Sequence, residues 1–96
     1  MAVRLVVTFH AASGKGAELA QAMKARCEVS RQDAGCEQFE VFQSASDPNR
    51  LVLLELWKDQ AALDAHRNAP HFKQYVNGGL DPIMESRSRE LYTVVD

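Results

Sequence analysis

The stretch Leu51-Val-Leu-Leu-Glu-Leu-Trp57 most limits what this chain can become. Read as a strand, it turns Leu51, Leu53, Glu55 and Trp57 to one side and Val52, Leu54 and Leu56 to the other, because side chains alternate along extended backbone. Both sides are apolar, so neither face of its sheet is expected to meet water. Helices can cover one face. A chain of 96 residues has little left for a second layer and is expected to borrow one.

Glu55 is the exception within this strand. A carboxylate there costs several kcal/mol unless it is paired, hydrogen-bonded or facing a wet cavity. Two readings stand: a strand-end Glu paired with an Arg or Lys, or a Glu that looks with Trp57 into a pocket. Asp59 then sits as an N-cap opening a short helix from Gln60 to about Asn68. Ala62, Leu63 and His66 share its inward face. Pro70 ends it, and His71 and Phe72 begin another short turn towards Tyr75 and Val76.

Before this stretch, Val3 to Phe9 alternates as a half-buried strand, with His10 solvated or structural at its end. Ala11 to Gly16 is a turn. Ala17 to about Asp33 reads as a helix with Leu19, Met23 and Cys27 on its apolar stripe, Ala20 and Ala34 beside it, and Glu18, Lys24, Arg31 and Gln32 outward. Gly35 stops it, and Cys36 to Ser44 returns to strand period, with Phe39 and Val41 on one face and Phe42 on the other. Ser46 to Asn49 turns the chain back into the central strand. Later, Asn77-Gly78-Gly79 marks a loop, Asp81 to Glu85 reads as a helical turn or a connection, and Ser88 to Val95 as the last strand. The order strand, helix, strand, strand, helix, strand predicts a ferredoxin-like α+β fold, a four-stranded antiparallel sheet with both helices on one face. Residues 1–96 read as a single domain. Phe42 and one set of the central strand then remain on the uncovered face, and an isologous homodimer formed sheet to sheet is the simplest cover.

Charge and composition exclude several classes. A formal net charge of −2 provides no basic excess, so no nucleic-acid partner is expected. No window approaches the roughly 20 apolar residues of a membrane helix, and the N-terminal apolar run is too short for a signal peptide, so no membrane partner and a cytoplasmic location are expected. Cys27 and Cys36 fit no zinc or redox spacing and read as small buried hydrophobes. No dinucleotide, nucleotide or serine-nucleophile motif is present. His66 and His71 are five apart across Pro70, so they are not expected to share a helical face, and no third ligand stands at a recognisable spacing. No metal site and no cofactor are therefore expected. His66, on the inward face, is either a core histidine bonded to backbone or an imidazole able to take and return a substrate proton.

Glu55-x-Trp57, Ala62-x-x-x-His66 and Pro70-His71-Phe72, following Gly35-Cys36, together resemble the antibiotic biosynthesis monooxygenase domain, a family of small dimeric α+β barrels. The resemblance runs through nearly the whole chain. It implies a shared barrel between two copies and a cofactor-independent monooxygenase acting on a small aromatic quinol or phenol. On that reading Glu55, Trp57 and His66 are the catalytic candidates, with His66 as base and Trp57 as stacking wall, while His71, Phe72 and Tyr75 bind the substrate. The haem-degrading branch of the wider superfamily carries other residues where Thr8, His66 and Val76 stand here, which argues against that activity. The alternatives are a proton-transfer isomerase on a small phosphorylated or carbonyl compound, for which Arg4, Lys73, Arg87 and Arg89 supply cations, and a non-catalytic dimer that binds a small molecule.

Overall fold

Apolar residues at period two make the strands, and their antiparallel pairing sets everything else. The computed structural model describes residues 1–75 and 81–96. Its strands are β1 (Val3–Ala11), β2 (Cys36–Gln43), β3 (Arg50–Trp57) and β4 (Met84–Thr93), and its helices are α1 (Gly16–Ser30), α2 (Gln60–Asn68) and α3 (Pro70–Gln74). A short 3-10 turn, Asp81–Ile83, leads into β4. The sheet is antiparallel throughout in the order β2-β3-β1-β4, the ferredoxin-like α+β arrangement expected from the sequence.

The core lies between the helices and one sheet face. Val3, Leu5, Val7 and Phe9 of β1 and Leu51, Leu53 and Trp57 of β3 pack there against Leu19, Met23 and Cys27 of α1 and Leu63 of α2. On the opposite face Val6, Val52, Leu54 and Leu56 are only half-buried, and Phe42 and Tyr92 are 45% and 52% exposed. An extra residue at Glu37 interrupts the β2–β3 register, with Cys36 opposite Trp57 and Gln38 already opposite Leu56. That bulge places Phe39 on the covered face, opposite Glu55.

Several boundaries differ from the sequence reading. β1 runs on through His10, which is exposed, to Ala11. α1 closes at Ser30, leaving Asp33 in the following turn and Ala34 exposed instead of beside the stripe. β4 begins at Met84, four residues before Ser88, because Ser86 and Arg87 pair with His10 and Phe9. Met84 to Arg87 carries no apolar alternation, so pairing alone reveals it. Cys27 is buried as expected, while Cys36 is only partly so. Val76 and the loop expected at Asn77 to Gly79 lie outside the described residues. Among the described residues no helix is long and apolar enough to cross a membrane.

Gly35 joins the two halves of the covered face. Its φ of 80° is a left-handed value, and its carbonyl accepts the Lys58 amide at 2.9 Å, which ties the α1–β2 turn to the end of β3. A Cβ there would stand 2.6 Å from the Cβ of Ala62. Gly35→Ala should therefore cost ~1–3 kcal/mol for the backbone alone, with a further loss as α2 is pushed away. Urea unfolding of the two proteins measures it.

Candidate functional site

The side chains that converge under the helices come from four separate segments. β3 supplies Glu55 and Trp57. Both are buried, and the Trp57 indole N–H donates to Glu55 Oε1 at 3.0 Å. This bond answers the exception in the central strand: the carboxylate accepts from an indole, and among the described residues no Arg or Lys forms an ion pair with it. A hydrogen bond to a charged group contributes about 1.5–3 kcal/mol, less than isolating a carboxylate in an apolar core costs. Burial accordingly pushes the Glu55 carboxyl above its ordinary range, while the Trp57 bond and then the Arg26 charge pull it back.

α2 supplies His66. Asp59 caps the helix as expected, its Oδ1 accepting the Ala62 amide at 2.9 Å. His66 lies in the last turn, 2% exposed, with its ring centroid 4.7 Å from that of Trp57 and 5.3 Å from that of Phe72. His66 Nδ1 meets Asp33 Oδ2 at 2.6 Å. A carboxylate only accepts, so Nδ1 carries the proton and Nε2 keeps the lone pair. Among the described residues Nε2 is buried without a partner. Burial lowers the basicity of His66 below its ordinary value, and the Asp33 bond opposes this.

α3 supplies His71 and Phe72. On one continuous helix residues five apart would point about 140° apart. Ala69 is extended instead, with φ −70° and ψ 146°, and Pro70 restarts the helix in a new direction. His71 Nε2 thereby reaches both oxygens of the same Asp33 carboxylate, each at 2.9 Å. The two histidines share no helical face, as expected, yet the break between their helices brings both to one carboxylate, which their spacing did not show. Nitrogens of His66 and His71 and an oxygen of Asp33 lie within 4.8 Å of one another, a set able to draw in a divalent cation. The carboxylate is already engaged by both imidazoles.

α1 supplies Arg26, which is 5% exposed. Its guanidinium lies 5.5 Å from the Phe39 ring, 5.5 Å from Phe72 and 5.8 Å from Tyr75. Desolvated contacts of this kind are worth about 2 kcal/mol each. Burial nonetheless lowers the Arg26 guanidinium below its ordinary basicity, and the field of Glu55 opposes this.

A cavity of ≈ 20 Å³ joins these groups, bordered by Arg26, Glu55, His66, Arg67, Phe72, Arg87 and Arg89 over apolar walls from β1, β3 and α2. It has room for about one water. A wider hollow of ≈ 450 Å³ opens beside Thr8, Phe42 and Val52 on the uncovered face, without a convergent cluster of titratable groups. Of the residues expected at the site, Glu55, His66 and Phe72 border the cavity. Trp57 is packed behind His66, His71 stands on Asp33, and Tyr75 lies against Arg26. The sequence reading passed over Asp33 and Arg26. Arg26 continues the stripe of Leu19 and Met23 at helical spacing, so a charge on an inward face was there to be seen. Asp33 follows a helix C-terminus, where the macrodipole disfavours a carboxylate, so it called for donors elsewhere.

Residues 2–78 match the family model described as Antibiotic biosynthesis monooxygenase. The Bacillus subtilis protein named "Putative monooxygenase YcnE" is 38% identical over 50 residues, covering 52% of this chain and 53% of YcnE. PA3566 from Pseudomonas aeruginosa has a similar crystal structure, with a TM-score of 0.89 and 27% identity over 99% of this chain and 95% of its own. SO0527 from Shewanella oneidensis gives a TM-score of 0.88, also at 27% identity, over 95% of this chain and 88% of that one. The chain spans about half the length of the curated relatives it matches.

Two buried groups titrate in opposite senses. His66 is harder to protonate folded than unfolded, so stability falls as pH drops from 6.5 towards its depressed value. Glu55 is easier to protonate folded, so its contribution is full below 4.5 and is lost as pH rises through its raised value. Thermal melts from about pH 4 to 8 should show losses on both sides for the parent. Glu55→Gln should keep only the acid-side loss.

Proposed function

The chain belongs to the antibiotic biosynthesis monooxygenase family, and from that premise we propose a cofactor-independent oxygenase of a small aromatic phenol or quinol, with His66 as its base. The observation that carries this reading is the free, buried Nε2 of His66 beside the cavity, on an imidazole whose Nδ1 is tied to Asp33. A neutral imidazole of fixed tautomer is the form a general base needs. Its lowered basicity keeps it unprotonated at neutral pH. YcnE, a relative over half the chain, carries a monooxygenase name.

On this reading His66 Nε2 takes the phenolic proton and Asp33 stabilises the imidazolium that forms. The electron-rich phenolate gives electrons to oxygen directly. One oxygen atom stays in the oxidised product and the other leaves as water. Arg26 lies where its charge favours the phenolate, and the walls of Leu5, Val7, Leu53 and Phe72 exclude bulk water. Trp57 acts through others, packing His66 in place and holding Glu55. Because the cavity has room for about one water, an aromatic ring must displace Phe72 and the long side chains at the mouth.

A homodimer belongs to the same reading. Val6, Val52, Leu54, Leu56 and the exposed Phe42 form an apolar face without helices, and burying each such side chain is worth roughly 1.5–3 kcal/mol. A second sheet laid against it makes the shared barrel of the family.

Oxygen uptake with a panel of quinols and phenols tests the activity. His66→Ala should lower turnover by ~10²–10⁴-fold, with the fold intact by circular dichroism. Asp33→Asn should lower kcat and leave KM little changed. Loss of folding without any active substrate would make His66 structural. Separately, Phe42→Glu should shift the light-scattering mass towards the monomer, and an unchanged dimer would place the interface elsewhere.

A further inference from the structure

The cavity's charge does not match a neutral ligand. Four guanidinium groups border it, those of Arg26, Arg67, Arg87 and Arg89, against the single carboxylate of Glu55. Among the described residues none of the four makes an ion pair or a hydrogen bond. Arg26 is the clearest case, since its Nε is buried with no partner. Arg87 and Arg89 lie on the edge strand β4, where charges are ordinary. Their register, however, puts them opposite Phe9 and Val7, on the helix-covered face and over the cavity mouth. Arg67 meets them from α2. The single carboxylate, Glu55, accepts the Trp57 indole N–H and forms no ion pair with any of the four.

We propose that this cavity takes an aromatic substrate carrying an oxyanion group, a carboxylate or a phosphate, received by Arg67, Arg87 and Arg89 while the ring enters towards Arg26 and His66. The assignment deepens the oxygenase reading and shares its choice of cavity. Guanidinium forks bind planar or tetrahedral oxyanions through paired N–H donors, and the apolar walls suit a ring. The permanent anion stays at the mouth, so desolvating it costs less than burying it. It also fixes the ring's orientation before the proton moves at His66.

The test uses three ligands of one ring system: 2-naphthoate, 2-naphthyl phosphate and 2-naphthol, titrated calorimetrically into the full chain at neutral pH. One or both anions should bind at least about tenfold tighter than the naphthol, the least expected of one charge-assisted contact. The tighter anion identifies the oxyanion. Added sodium chloride should weaken the anions and spare the naphthol. Arg87→Ala combined with Arg89→Ala, at exposed positions, should abolish the preference with naphthol affinity as the internal control, and Arg67→Gln provides a second variant on another element. Equal affinity for the naphthol, a preference that survives both variants, or no binding of either anion overturns the proposal. The two readings fail separately. Neutral quinols oxidised in a His66-dependent way without anion preference would leave the oxygenase and remove the anion site. Anion preference without oxygen uptake by any phenol would do the reverse.

Discussion

The carboxylate of Asp33 is where three distant pieces of chain meet. It sits in the turn after α1, accepts from His66 at the end of α2, and accepts again from His71 at the start of α3. Without it, the last turn of α2 would bury an imidazole with neither nitrogen satisfied. The break at Ala69 would also lose its reason to fold back. Gly35, two residues on, makes the turn tight enough for this by accepting the Lys58 amide in a left-handed conformation. The helix-covered side of the molecule is therefore organised around a turn, with the strands providing the wall.

Around that point the interior holds more charge than a core of this size ordinarily tolerates. Glu55, Arg26 and His66 are all buried under one helix layer. Each is compensated by a different device: an indole N–H, a ring of aromatic faces and a shared carboxylate. Two are compensated only in part, since among the described residues Arg26 Nε and His66 Nε2 remain without partners. Unpaired polar atoms of this kind cost about 1–3 kcal/mol each. Their presence beside a cavity fits a site where stability is given up for binding or proton transfer.

Much of the architecture was legible because it depends on local pattern. The period of Leu51 to Trp57 located the central strand, and Asp59 and Pro70 bracketed α2 as written. Glu55 stood out because a carboxylate in such a strand needs a partner. What stayed hidden depends on contacts distant in sequence. Asp33 lies 33 positions from His66 and 38 from His71, and no spacing rule connects them. The two histidines do lie on separate helices either side of Pro70, but only the direction set by the extended Ala69 shows that both reach Asp33. The beginning of β4 was hidden for a related reason: Ser86 and Arg87 pair as strand because β1 offers an open edge, without apolar alternation of their own.

β4 itself contributes no fully buried side chain along Met84–Thr93, although it pairs with β1 over its whole length. Its place in the sheet is held by backbone bonds, which do not depend on side-chain identity. Positions 87, 89 and 91 can therefore change at little cost to folding, since exposed substitutions are usually within about 0.5 kcal/mol of neutral. Arg26, Glu55 and His66 have no such latitude. The fold thus separates a fixed interior from a replaceable rim, and descendants of this chain could change what borders the cavity by rewriting a single edge strand.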